Sequence, residues 1–163
     1  MDLYPAVVFV HAVTILLFFI AHGTSMAIAF ALKRETDPAR VRALLDLSRF
    51  SLGVPVVVLV VLGLLTGILA GFMGGHWGSA WIWISIVIFV AIGGLMTPLG
   101  TMRLKPIRAA AGMPAETGVP EAPPQANPEE LRRLIDAWNP LPLAAIGMTG
   151  FIVILYLMMV RPF

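Results

Sequence analysis

Three stretches of the chain carry no aspartate, glutamate, lysine or arginine: Leu3 to Leu32, Phe50 to Met102 and Ala137 to Val160. A membrane-spanning helix needs about 20 predominantly apolar residues. The outer two stretches therefore hold one span each. The middle one is long enough for two, separated by the turn Gly74-Gly75-His76-Trp77-Gly78-Ser79. The pattern predicts an all-α, polytopic membrane protein, an antiparallel bundle of four transmembrane helices in a single domain covering 1–163. The spans fall at about residues 5–32, 54–74, 80–102 and 141–160. Helices of a soluble bundle would carry a charged outer face, and none of these does.

The polar positions between the spans set the expected orientation. The loop 33–53 holds Lys33, Arg34, Arg40, Arg42 and Arg49, and the loop 103–140 holds Arg103, Lys105, Arg108, Arg132 and Arg133. The turn near Gly75 and the amino terminus have no lysine or arginine, and only Arg161 lies beyond the last span. Basic residues concentrate on the cytoplasmic side of membrane proteins. Both loops are thus expected in the cytoplasm and both termini outside. The first stretch lacks the basic lead and cleavage site of a secretory signal, so a retained helix is expected there.

The loops carry their own punctuation. Asp37 before Pro38 is a helix-start signal, and Val41, Leu44, Leu45 and Leu52 then recur on one side. Arg42, Asp46 and Arg49 have i, i+3 and i, i+4 spacing on the other. This predicts an amphipathic helix over 39–52 leading into the second span, with a kink near Pro55. Residues 112–127 are rich in Pro, Gly and Ala and predict a flexible linker. Asn127-Pro128 opens a second short helix, closed by Asn139-Pro140.

Composition sharpens this picture. The chain is 59% hydrophobic and 12% charged, against about 25% charged for a soluble domain. The absence of cysteine excludes thiolate metal sites, cysteine nucleophiles and disulfides. No carboxylate, lysine or arginine lies within a span, which leaves charge-driven transport and acid–base catalysis in the membrane without a group to act through. Phosphate-binding loops, HExxH and nucleophile-elbow motifs are absent. The basic residues flank spans, so nucleic acid is not an expected partner.

Candidate chemistry is confined to histidine. His11 and His22 lie eleven residues apart on the first span, which leaves them about 20° apart around the helix. Tyr4, Thr14 and Ser25 complete a polar stripe, expected to face protein rather than lipid. Both histidines are candidate haem or metal ligands, or interhelical hydrogen-bonding groups. They are about 16 Å apart along the axis, so they cannot serve one haem iron together. His76, in the outer turn, is expected to be exposed. Gly63, Gly67 and Gly71 recur every four residues on the second span, and Gly23, Ala27 and Ala31 do so on the first. Such small residues are expected at close helix-packing contacts.

The segments Leu3-Tyr4-Pro5, Phe9-Val10-His11-Ala12, Ala21-His22-Gly23-Thr24-Ser25 and Asp37-Pro38-Ala39-Arg40 point to a family. With Leu44-Leu45-Asp46-Leu47-Ser48, Gly71-Phe72-Met73-Gly74-Gly75 and Trp81-Ile82-Trp83, they resemble a bacterial predicted integral-membrane family of unassigned function. The likeness runs through most of 3–110 and again over 139–163. That family is distantly similar to the copper-resistance D-type membrane domain and to a small haem-b protoporphyrinogen oxidase. The resemblance implies the bacterial inner membrane and offers haem b as a cofactor, with His11 at the position of the oxidase's first-helix histidine. The oxidase also relies on a third-helix lysine, and no lysine lies between Trp81 and Met102 here. The leading expectation is a non-enzymatic accessory or helix-packing subunit. The alternatives are a haem-b-binding redox protein using His11 and a small-solute or metal permease. Expected partners are the lipid bilayer and either a second copy or a larger membrane complex.

Overall fold

A computed structural model describes residues 3–114 and 124–162. The order is α1 (Tyr4–Arg34), α2 (Pro38–Leu52), α3 (Val54–Met73), a 3-10 turn (His76–Gly78), α4 (Ala80–Ala110), α5 (Pro128–Ala137) and α6 (Leu141–Val160). Four candidate spans are long and apolar enough to cross a membrane: α1, the α2–α3 run, α4 and α6. Their outward surfaces are apolar, as at Phe9, Val87 and Met159, which are 69%, 65% and 75% exposed. In water this would be costly; against lipid it is the expected solvent-facing side.

Helix length explains the architecture. α3 and α6 have 20 residues each, about 30 Å, which matches the hydrocarbon thickness. α1 and α4 have 31 each, about 46 Å, so roughly 16 Å of each extends beyond it. The short helices α2 and α5 pack on these extensions. Together they bury the main apolar core, including Leu32 and Leu45 (0% exposed) and Ile107 and Ile135 (1%). The helix of the third span thus continues to Ala110, past the end expected for the span near Met102, because its last turns have this cap to pack against.

Local signals act where the sequence puts them. Asp37 accepts from the Ala39 amide at 2.8 Å and Asn127 from the Glu130 amide at 3.0 Å, each supplying an orphan amide of a helix start. The bend before α3 falls at Gly53, which has extended backbone, and not at Pro55. Pro55 sits in the first turn of α3, where its missing amide has no helical partner to lose. Of the linker 112–127, residues 115–123 lie outside the described part.

The basic residues of the cap do more than mark a side. Lys33 Nζ donates to the carbonyls of Ile135 and Asp136 at 3.1 and 2.9 Å. Arg42 Nε donates to Ala111 O at 2.9 Å, and Arg132 Nη1 to Glu35 O at 3.1 Å. Each meets carbonyls in or just beyond the last turn of a helix. Arg108, 8% exposed, donates from Nη2 to Leu45 O and Ser48 Oγ and ties α4 to α2.

At the opposite end lie the chain termini and the aromatic turn. Tyr4 Oη is 3.4 Å from His76 Nε2, the His76 ring lies 5.6 Å from Trp81, and Arg161 stands over Trp81. His76 is therefore half-buried; two helix ends and Trp81 close over a turn that sequence alone leaves open. Along the membrane the spans form two pairs, α1 with α3 and α4 with α6. α3 and α4, though consecutive, do not pack along their length and meet around the turn.

Candidate functional site

The two histidines of α1 have different surroundings. His11 faces α3: its Nδ1 lies 3.0 Å from Gly63 O and 3.2 Å from Thr66 Oγ1. A carbonyl can only accept, so Nδ1 carries the proton in this contact and Nε2 of the neutral ring is left with a lone pair. The ring lies over Gly67, where an added Cβ would stand 2.9 Å from Cε1. Gly63 likewise admits Ile15, at 3.1 Å from such a Cβ. Gly71 faces the turn instead, against Ile82 and Trp77. Among the described residues no heavy atom lies within 4 Å of a Cβ added at Gly23.

His22 points between the two pairs. It lines a crevice of about 380 Å³ bounded by α1, α3, α4 and α6. Its Nε2 is buried and has no hydrogen-bond partner. Nε2 is seated against Gly147, 2.5 Å from where a Cβ would stand, and Met96 Cε is 2.7 Å from the same point. An imidazole nitrogen left unpaired in apolar surroundings costs free energy that a ligand or partner can recover.

The rest of the crevice is apolar. Its floor, near the bilayer middle, is a cluster of rings in edge contact: Phe18 with Phe89 at 5.9 Å and with Phe151 at 5.2 Å. His22 lies 5.3 Å from the Phe151 ring. Trp138 and Leu104, both part of the cap core, close the other end. On the α4 wall, Gly93, Gly94 and Gly100 present bare backbone, with no atom of the described residues within 4 Å of an added Cβ. Pro98 has no amide to give the Gly94 carbonyl, which is therefore an acceptor in the crevice wall without its regular helical donor. Ser25 and Ser51 also line the crevice, but their hydroxyl protons are committed, to Ser51 O at 3.1 Å and Ser48 O at 3.2 Å.

A second hollow, about 410 Å³ along Ala27, Phe30, Ala31, Arg34 and Glu35, contains none of the orphaned buried groups. Among the described residues no three His, Asp or Glu side chains converge on a point that could hold a metal ion. The structure thus brings His22 to the crevice with Met96, and sets His11 in the α1–α3 contact.

A family described as a predicted integral membrane protein matches residues 5–162. The chain belongs to this family, DUF2269. With four helices able to cross a membrane, it is an integral membrane protein. No curated protein and no solved structure matches it.

Sequence reasoning did not single out Met96, Gly100 or the phenyl floor. One signal was present: α4 concentrates Gly93, Gly94, Pro98 and Gly100 within two turns. Residues so poor in helix propensity in the middle of a span mark a place where backbone, and not side chain, is wanted.

Proposed function

We propose that this protein is a non-enzymatic, membrane-embedded binding protein whose crevice holds a lipid-soluble small molecule, with His22 as its polar contact. The observation that carries the reading is the buried, unpartnered Nε2 of His22 in an otherwise apolar crevice. The volume lies in the range of about 300–1,000 Å³ usual for small-molecule sites. The reading sets the chain in the bacterial inner membrane with the basic cap in the cytoplasm, supported by the lysine and arginine distribution.

The test is purification in mild detergent followed by mass spectrometry of the organic extract. Wild type should carry a stoichiometric lipophilic compound that Gly100→Leu, which fills the crevice, loses. Identical extracts from the two proteins would overturn the proposal.

A second reading, haem b on His11, is supported by the tautomer: a ring whose Nδ1–H is held by a backbone carbonyl offers Nε2 as a metal ligand. It predicts a Soret band in protein from haem-replete cells that His11→Ala abolishes. A colourless wild-type protein refutes it.

A further inference from the structure

The crevice specifies more than lipid solubility. Among the described residues lining it there is no Asp, Glu, Lys or Arg. A charged group placed there would lose its hydration with no counter-ion, so the enclosed part of the ligand is uncharged. The serine hydroxyl protons are already committed. The available polar complement is the His22 imidazole, which as a neutral ring offers one N–H donor and one lone pair, the Trp138 indole N–H at the cap end, and the under-used Gly94 carbonyl. The floor is aromatic, and the α4 wall at Gly93 and Gly94 is flat backbone.

The crevice also has a side exit. Val90 and Gly94 line it and are at the same time exposed on the protein surface. Across from them stand Val56, Val60 and Leu64 of α3, the helix that does not pack along α4. An apolar tail can leave through this gap into the leaflet on the cap side.

Resting on the binding reading above, we propose that the crevice takes a quinone with an apolar tail. The flat head lies against the Gly93–Gly94 wall above the phenyl floor, with one ring carbonyl accepting from His22. The tail passes between α3 and α4 into the lipid. In the reduced, quinol form a ring hydroxyl donates to the His22 lone pair or to Gly94 O. The crevice thus accepts the head in both forms, uncharged in each.

The experiment uses the full chain in lipid nanodiscs and a decyl-substituted benzoquinone as probe, read by quenching of tryptophan fluorescence. Trp138 lines the crevice while Trp77, Trp81 and Trp83 lie at the far end, so Trp138→Phe should remove the saturable component. Decylbenzene, the same ring and tail without carbonyls, is the competitor. His22→Leu should weaken quinone binding about tenfold, the usual worth of one hydrogen bond, and His22→Gln, which keeps a donor, should restore most of it. Decylbenzene should relieve the quenching by displacing the quinone with an affinity about tenfold weaker than the quinone's own. If His22→Leu does not fold, the competition on wild type decides. Equal competition by decylbenzene overturns the quinone assignment and leaves the binding reading standing; unchanged binding in His22→Leu overturns the quinone assignment and the role of His22 in that reading. If neither compound binds saturably, both fall.

Discussion

Two glycine-to-alanine changes, Gly67→Ala in α3 and Gly100→Ala in α4, should have opposite consequences. Both lie inside helices, so whatever alanine gains in helix propensity is common to both and cancels in their difference. What remains is the space each methyl group enters. At Gly67 it would stand 2.9 Å from His11 Cε1 and 3.3 Å from Nδ1, against about 3.5–4.0 Å for a relaxed contact. The ring cannot retreat without stretching its bond to Gly63 O. Either α1 and α3 separate by about 0.5–1 Å, an overpacking cost of about 1–3 kcal/mol, or the hydrogen bond goes, at about 0.5–1.5 kcal/mol. At Gly100 the methyl meets no atom of the described residues within 4 Å, so among them it meets no cost of this kind. The gap between the two variants should be about 2 kcal/mol, on the order of 5 °C in the unfolding midpoint. Thermal unfolding of the purified variants in one mild detergent, followed by tryptophan fluorescence, measures it. Equal shifts for the two would refute both the α1–α3 contact at His11 and the open space at Gly100.

Other outcomes follow from the cap and the topology. Leu45→Ala, at a position 0% exposed in the cap core, should destabilise by about 2–5 kcal/mol, whereas Leu47→Ala, 47% exposed on the same helix, should be nearly silent in the same unfolding assay. Asp136 is held below its ordinary carboxyl range first by its hydrogen bond to Arg132, with the Lys33 charge adding to this. A depressed carboxyl contributes stability above its unfolded value and loses it as pH falls through the folded one. Hydrogen exchange in α5 should therefore be faster in Asp136→Asn than in wild type at pH 7, with the difference shrinking as pH falls below the ordinary carboxyl range. A reporter enzyme that works only outside the cytoplasm, fused to the carboxy terminus, should be active, and inactive when inserted between Arg34 and Asp37; the reverse result refutes the orientation.

Much of the fold was legible because the membrane simplifies the reading. Charge-free stretches of span length have one solution in lipid, where every backbone amide must be bonded within its own helix. The caps Asp37 and Asn127 were legible for a different reason, since a side chain two or three residues from an orphan amide is a local matter. The extension of α4 to Ala110 was not legible: Arg103, Lys105 and Arg108 look like a membrane border. Only the docking of Arg108 on Leu45 O and Ser48 Oγ shows how helix continues through them.

The sequence by itself determined that four apolar helices cross a membrane, that the basic segments share one side, and that histidine is the one chemically versatile residue within the spans. Which helix meets which was decided by the tertiary structure. Helix faces in lipid differ little in hydrophobicity, so pairing is left to close packing at small residues and to single hydrogen bonds, which no periodicity encodes. The histidines make the point concretely. They are about 20° apart around one helix and nearly equivalent on paper. Yet α3 passes His11 and supplies a carbonyl at 3.0 Å, while the divergence of α3 from α4 leaves His22 beside an open crevice with a nitrogen unpaired.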